Sequence, residues 1–359
     1  MAVTGVPNNA NPAKVINLSF GGDQPCSSSY QTVIDELAAV GTLVVVAAGN
    51  SQGLGDNMQL KRPADCRGVM AVGAVQANGL KTSYSYVGSN MSLMAPGGHS
   101  SSSGNPGNTA TLLLSTSNSG TQAPAAHEEG YKQGTSFSAP LAAGVASLMM
   151  AINPLLSPDA LILRMKASAR SFTGSATSCI VNPSVACTCN TSVCGAGMLN
   201  PLAAVQASYA PAAVIAPVGK PLPGAVITLD ARSSAAVGTP TISSYVWAIQ
   251  QGSGLTIASP TAALTQVRLP ETPGVFVFQL SVTDTLGQTG LAQLRIDTMP
   301  LPEPASTAST SSSGGGGGAD SRAWLALLLV LTVIATVSAA RQARRTHIRL
   351  QPKQDKSKS

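Results

Sequence analysis

Charge is scarce in this chain. Only 10% of its 359 residues are charged, 4% are aromatic and three are histidine. The net charge is +6, and seven basic residues beyond position 340, set against Asp355, carry all of it. Residues 1–340 are therefore neutral. A neutral body lacks the electrostatic footprint a polyanion needs, and no RNA- or DNA-reading motif is present, which excludes nucleic acid as a partner. Gly, Ser, Ala and Thr abound instead, the texture of a loop-rich extracytoplasmic chain. The length leaves room for two domains.

The richest stretch runs from Gly134 to Gly144, GTSFSAPLAAG. It sets Ser136 in a glycine-flanked turn that leads into a small-residue helix, the place where a serine nucleophile is displayed. Pro140 is expected in the first helical turn, where its missing N–H is not needed. Ala142, Ala143 and Gly144 are expected to let the helix pack closely under a sheet. A lone G-T-S also fills ordinary loops and helix starts; the extended pattern carries the reading. Gly41 to Asn50, GTLVVVAAGN, adds a β-branched run that reads as a buried parallel strand.

Together these blocks resemble the subtilisin-like serine peptidases, whose nucleophile motif is G-T-S-x-[AS]-x-P-x-x-[AS]-G. Val15 to Gly22, Val69 to Ala74 and Met94 to Gly98 fit the same family in the correct order. The resemblance covers about residues 6 to 205. It implies an α/β fold, here a partial doubly wound parallel-sheet domain over 1–208. It also implies that Ser136 is the nucleophile and that Asn50 supplies the side-chain donor of the oxyanion hole. Ser19, Phe20 and Gly21 would offer backbone groups to an extended protein or peptide substrate. Ala47, Ala48 and Gly49 would line the primary pocket. No cofactor is identified, and structural calcium stays open.

A serine hydroxyl needs a base, and the base needs an orienting carboxylate. In this family they sit in D-[ST]-G and H-G-T contexts ahead of the substrate strand. His99 lies in a Ser/Gly-rich stretch, His127 in an acidic loop and His347 in the basic tail; none opens a helix in an H-G-T context. Asp23 and Asp35 are likewise outside a D-[ST]-G turn. No signal-peptide pattern follows Met1. The expectation is a chain that starts inside a longer coding sequence, because a sheet begun here has open central edges prone to aggregation, and that is inactive alone, because it lacks the base and its carboxylate. The alternative is a non-catalytic surface module that keeps the scaffold without the chemistry.

Six cysteines suit an exported protein. They allow 15 pairings. The family resemblance suggests Cys26 with Cys66. Proximity suggests Cys179 with Cys187 and Cys189 with Cys194. Zinc and free buried thiols are the other readings; no histidine joins the cluster.

Residues 209–223 are Pro/Ala-rich and read as a linker. From 224 to 298 short alternating segments fit an all-β immunoglobulin-like sandwich. Leu229-Asp230, Tyr245-x-Trp247 and Val282-Thr283-Asp284 resemble the polycystic-kidney-disease (PKD) type of domain. Trp247 is expected in its core, and the domain is expected to be a spacer. Residues 299–322, with Gly314 to Gly318, read as a flexible linker. Residues 323–340 are apolar and uncharged, the expected transmembrane helix, with Trp324 at its edge. Residues 341–359 form a basic cytoplasmic tail by the positive-inside rule. The order of glycine run, short span and arginines resembles the GlyGly-CTERM sorting tail of Gram-negative bacteria, which a rhomboid-type protease removes. The domains would then lie in the periplasm, on the cell surface or, after tail removal, outside the cell.

Overall fold

A computed structural model of the chain describes residues 9–51, 59–100, 111–218 and 221–298. The expected membrane span, glycine linker and basic tail lie outside the described residues. The first part contains β1 (Val15–Leu18), α1 (Ser28–Ala39), β2 (Leu43–Ala47), β3 (Met70–Val75) and β4 (Leu93–Pro96). A hairpin follows, β5 (Leu113–Asn118) and β6 (His127–Lys132), then α2 (Thr135–Ile152), α3 (Pro158–Ala167) and α4 (Pro201–Ala207). Strands β1 to β4 form one parallel sheet in the order β1-β2-β3-β4, with β1 at one edge of the described sheet.

The uninterrupted apolar run of β2 reflects burial on both faces. Leu43, Val45 and Ala47 point into a core shared with α2, whereas Val44, Val46 and Ala48 join a second core with Ile34 of α1. Helices therefore cover both faces of the sheet, as a doubly wound fold requires. Ser27 caps α1 by accepting from the Tyr30 N–H, and Ser157 caps α3 ahead of Pro158.

Helix α2 sits against all four strands through Ala139, Ala142, Ala146 and Met149, all fully buried. Their small size lets the helix approach the sheet closely. Gly144 departs from the expectation: it is exposed with open space around it, so it faces away from the sheet. Among the described residues α2 is long and apolar enough to cross a membrane, but its buried stripe packs on the sheet as a core helix does.

All six cysteines are paired: Cys26–Cys66, Cys179–Cys187 and Cys189–Cys194. No thiolate is left to hold zinc. All three bridges lie in or against the second core, beneath the face opposite α2.

The C-terminal part holds β7 (Val226–Asp230), β8 (Ile242–Gln251), β9 (Leu264–Arg268), β10 (Val275–Asp284) and β11 (Thr289–Asp297). The sheets β11-β10-β8 and β7-β9 enclose one core. Trp247 is buried there, and its indole N–H donates to the Ala262 carbonyl at 3.0 Å. The period-two burial of β10 is the signature of a strand with one face inside.

The segment expected as a linker does join the two bodies, but it is clamped rather than slack. Ala212 and Ala213 are buried, one in each body's core. Arg164 of α3 donates to the carbonyls of Ala207 at 2.7 Å, Ala210 at 2.9 Å and Pro211. Asn153 adds two bonds to Ser208 and Ala210. Gly290 of β11 lies so close to the Pro211 carbonyl that no side chain fits there.

Candidate active site

Three chain segments meet at the C-terminal ends of the parallel strands, where open α/β sheets gather their functional groups. They are the residues after β1, those after β2 and the turn that starts α2. Gly134 caps α2 with φ 139°, a backbone state that side chains avoid. Its Cα faces Asn50, and an added Cβ would sit 3.4 Å from Asn50 Nδ2.

Asn50 follows β2 and is half-buried. Its Oδ1 accepts from the Thr135 N–H at 3.0 Å and from Thr135 Oγ1 at 3.1 Å. Thr135 Oγ1 in turn accepts the Gly49 N–H at 3.2 Å. This network orients the carboxamide. With Oδ1 engaged, Nδ2 is the free donor: among the described residues it meets no protein acceptor.

Ser136 is also half-buried. Its Oγ donates to the Ser19 carbonyl at 3.3 Å, and the Ser19 hydroxyl donates back to the Ser136 carbonyl at 2.8 Å. The second bond explains Pro140. The proline lies in the second turn of α2, not the first, since the helix starts at Thr135. Its missing N–H would have paired with the carbonyl four residues earlier, that of Ser136. Ser19 takes that carbonyl instead.

Phe20 is well exposed at 58% and Gly21 is exposed, beside the half-buried Ser19. Ala47 and Ala48 are buried in the two cores on opposite faces of the sheet, and Gly49 is half-buried. No histidine bonds Ser136 among the described residues. His99 is tied through its backbone to Thr111, and burial pulls its imidazole below the usual histidine range. His127 opens β6 and pairs with Asn118 across the hairpin, a strand position rather than the expected loop. Asp23 is exposed, and Asp35 on α1 pairs with Arg67 at 3.6 Å. His347 is outside the described residues.

The sequence did not single out Tyr84, and it assigned Gly97 no role beyond its place in the Met94 to Gly98 block. Gly97 follows β4, and its carbonyl accepts the Gly134 N–H at 2.8 Å. A Cβ on Gly97 would meet Ala74 at 2.5 Å and both Ser138 Oγ and Tyr84 Oη at 2.7 Å. Gly97→Ala is expected to destabilise the fold by about 1–3 kcal/mol through overpacking. Urea unfolding of the two proteins measures this.

A polar cleft of about 680 Å³ lies elsewhere, between Arg67, Asp159, Lys166 and Arg295. Its α/β wall combines α1 and α3 with residues that precede β3 and β4, at the N-terminal ends of those strands. It is thus at the opposite end of the sheet from Ser136.

The profile of the Subtilase family matches residues 2–184, and that of a PKD domain matches residues 221–297. The chain is 38% identical over 207 residues to an extracellular protease of Xanthomonas campestris, covering 57% of this chain and 30% of that one. It is 36% identical over 165 residues to an extracellular basic protease of Dichelobacter nodosus, covering 44% and 24%. Subtilisin DY of Bacillus licheniformis is 35% identical over 159 residues, covering 44% and 50%. A protease structure from Pseudoalteromonas arctica aligns at 40% identity and a TM-score of 0.48, covering 58% of this chain and 55% of that one. The chain spans less than a third of the first two relatives and half of the third.

Proposed function

Since this chain belongs to the subtilase family, we propose that Ser136 is the nucleophile of a serine endopeptidase site acting on peptide bonds. Asn50 carries the reading. Its Oδ1 is spent on Thr135, which leaves Nδ2 beside the Ser136 turn as a donor for a developing oxyanion. A backbone N–H at the start of α2 supplies the second donor. Ser19, Phe20 and Gly21 present backbone groups to an extended substrate, and Gly49, half-buried at the end of β2, borders the primary pocket, whereas Ala47 and Ala48 are committed to the two cores behind it.

Ser136 attacks the scissile carbonyl, the oxyanion rests on Asn50, its collapse breaks the C–N bond and expels the amine with the proton taken from Ser136, and water hydrolyses the acyl-enzyme to release the acid and restore the serine. The step needs a base for the Ser136 proton. In the described residues that proton points to the Ser19 carbonyl, which cannot accept it outright. Little peptidase activity is therefore expected of these 359 residues alone.

Export fits the three disulfides and the extracellular relatives. Residues 323–340 would then anchor the chain in a membrane with the basic tail in the cytoplasm, and a rhomboid-type protease would remove that tail. The sandwich acts as a spacer, its Trp247 committed to the core.

An alkyl fluorophosphonate tests the central claim, with imidazole added in solution to stand in for the base. The expected result is a mass adduct on Ser136, faster with imidazole and absent in Ser136→Ala. A folded chain that takes no adduct under either condition would sink the proposal.

A further inference from the structure

We propose that Tyr84 is a positioning residue that sets the spacing between the Asn50 segment and the Ser136 turn. The inference rests on the reading of Asn50 and Ser136 as the reacting pair, and it concerns what holds them apart at a working distance.

Tyr84 reaches both segments, with different atoms. Its carbonyl accepts the Ser51 N–H at 2.7 Å, next to the oxyanion donor. Its hydroxyl accepts the Gly134 N–H at 3.2 Å, at the cap of α2, sharing it with the Gly97 carbonyl at 2.8 Å, which the same hydroxyl holds in place. The same hydroxyl donates to the carbonyls of Gly97 and Gly98, at 2.7 and 2.6 Å. One proton and one lone pair thus serve both sides of the turn. Burial pushes the phenol up to about 12, so the hydroxyl stays a donor at any working pH.

A brace this short is useful only if its own backbone is held. Lys81 does that. Its side chain is fully buried, and its ammonium donates to the carbonyls of Thr82, Ser83 and Ser85, which flank Tyr84 on both sides. Ser85 Oγ accepts the Ala74 N–H of β3 at 2.9 Å, and the Tyr86 N–H donates to the Gly49 carbonyl at 3.1 Å. Residues 81–86 are therefore anchored to the sheet on one side and to the Gly49–Asn50 corner on the other. Gly49 and Asn50 already bond Thr135, but all three bonds converge on that one residue. Tyr84 supplies a second link through the backbone, so the two segments cannot pivot about the first. Site geometry must hold to within about 0.5 Å, and bonds that meet at one residue, Thr135, leave a pivot there.

Hydrogen exchange on the 359-residue chain tests this without any need for catalysis. In Tyr84→Phe, exchange at Gly134 and Thr135 is expected to quicken about fivefold, the size of one net hydrogen bond, while Met70–Val75 of β3 stays as it was. Unchanged exchange at both positions would overturn the proposal. Should β3 loosen as well, Lys81 decides. Lys81→Arg keeps the carbonyl bonds and is expected to leave Gly134 protected, whereas Lys81→Met is expected to expose it; identical behaviour of the two would overturn the proposal. The acylation assay gives a separate reading. There Tyr84→Phe should lower the maximal rate of Ser136 labelling and leave the half-saturating probe concentration in place. A change confined to the half-saturating concentration would refute the positioning role. If Ser136 never labels, the exchange result still stands, so the two claims fail independently.

Discussion

Asn50→Asp is expected to slow acylation of Ser136 by about a hundred- to a thousandfold while leaving thermal unfolding unmoved. The magnitude is borrowed from the equivalent donor in subtilisin, where it was established. The substitution separates two duties that one side chain performs. A carboxylate keeps an oxygen for the Thr135 N–H and hydroxyl, at 3.0 and 3.1 Å in the native site. It replaces Nδ2, the donor, with a negatively charged acceptor. A developing oxyanion would then meet repulsion where it now meets an N–H. Asn50→Ala removes both duties, so it should slow the reaction and loosen Thr135 together. Imidazole-assisted labelling rates and melting curves of the two variants distinguish these outcomes. Equal rates for Asn50→Asp and the parent would show that the donor is not used.

Arg164→Met is expected to destabilise the protein by about 3 kcal/mol and to split its unfolding into two transitions. Arg164 is 8% exposed, and its guanidinium binds three carbonyls, with no carboxylate partner among the described residues. Burial without a counter-charge pulls its pKa down to about 10. Methionine keeps the stem and its packing but leaves the carbonyls of Ala207, Ala210 and Pro211 without their donor. Those carbonyls lie where the α/β body hands over to the sandwich. Calorimetry should show one cooperative melt in the parent and a separate, earlier sandwich melt in the variant. A single unshifted transition would contradict the clamp.

Much of this was legible in the chain because its signals are local. The β-branched run of β2, the small residues of α2 and the period-two strands β7, β8 and β10 each declare themselves within about ten residues. That the Ser136 turn and Asn50 lie together was legible because the family's motifs place particular residues at particular spacings. What stayed hidden is held by distant partners. Nothing in the neighbourhood of Pro140 says that Ser19 will take the Ser136 carbonyl. Arg164 looks like a solvated helix residue until its three carbonyls arrive from residues more than forty positions on. Tyr84 reads as an ordinary loop aromatic, since Gly134 lies fifty positions away. Gly144 was misplaced because the motif marks a conformation, not a face. His127 was read by charge, and its neighbours Glu128 and Glu129 masked a strand whose partner is β5.

The clasp between Ser19 and Ser136 also bears on the order of events during folding. The helix surrenders one of its own hydrogen bonds at Pro140, and the vacancy is filled from 117 residues earlier in the chain. Thr135 depends on a partner 85 residues away. A helix can form within microseconds from local contacts, but bonds of such span close late. A newly made α2 would therefore carry its serine before it carries the serine's orientation. The hydroxyl acquires direction only once the end of β1 has docked, so assembly of the sheet and orientation of the Ser136 hydroxyl become one event.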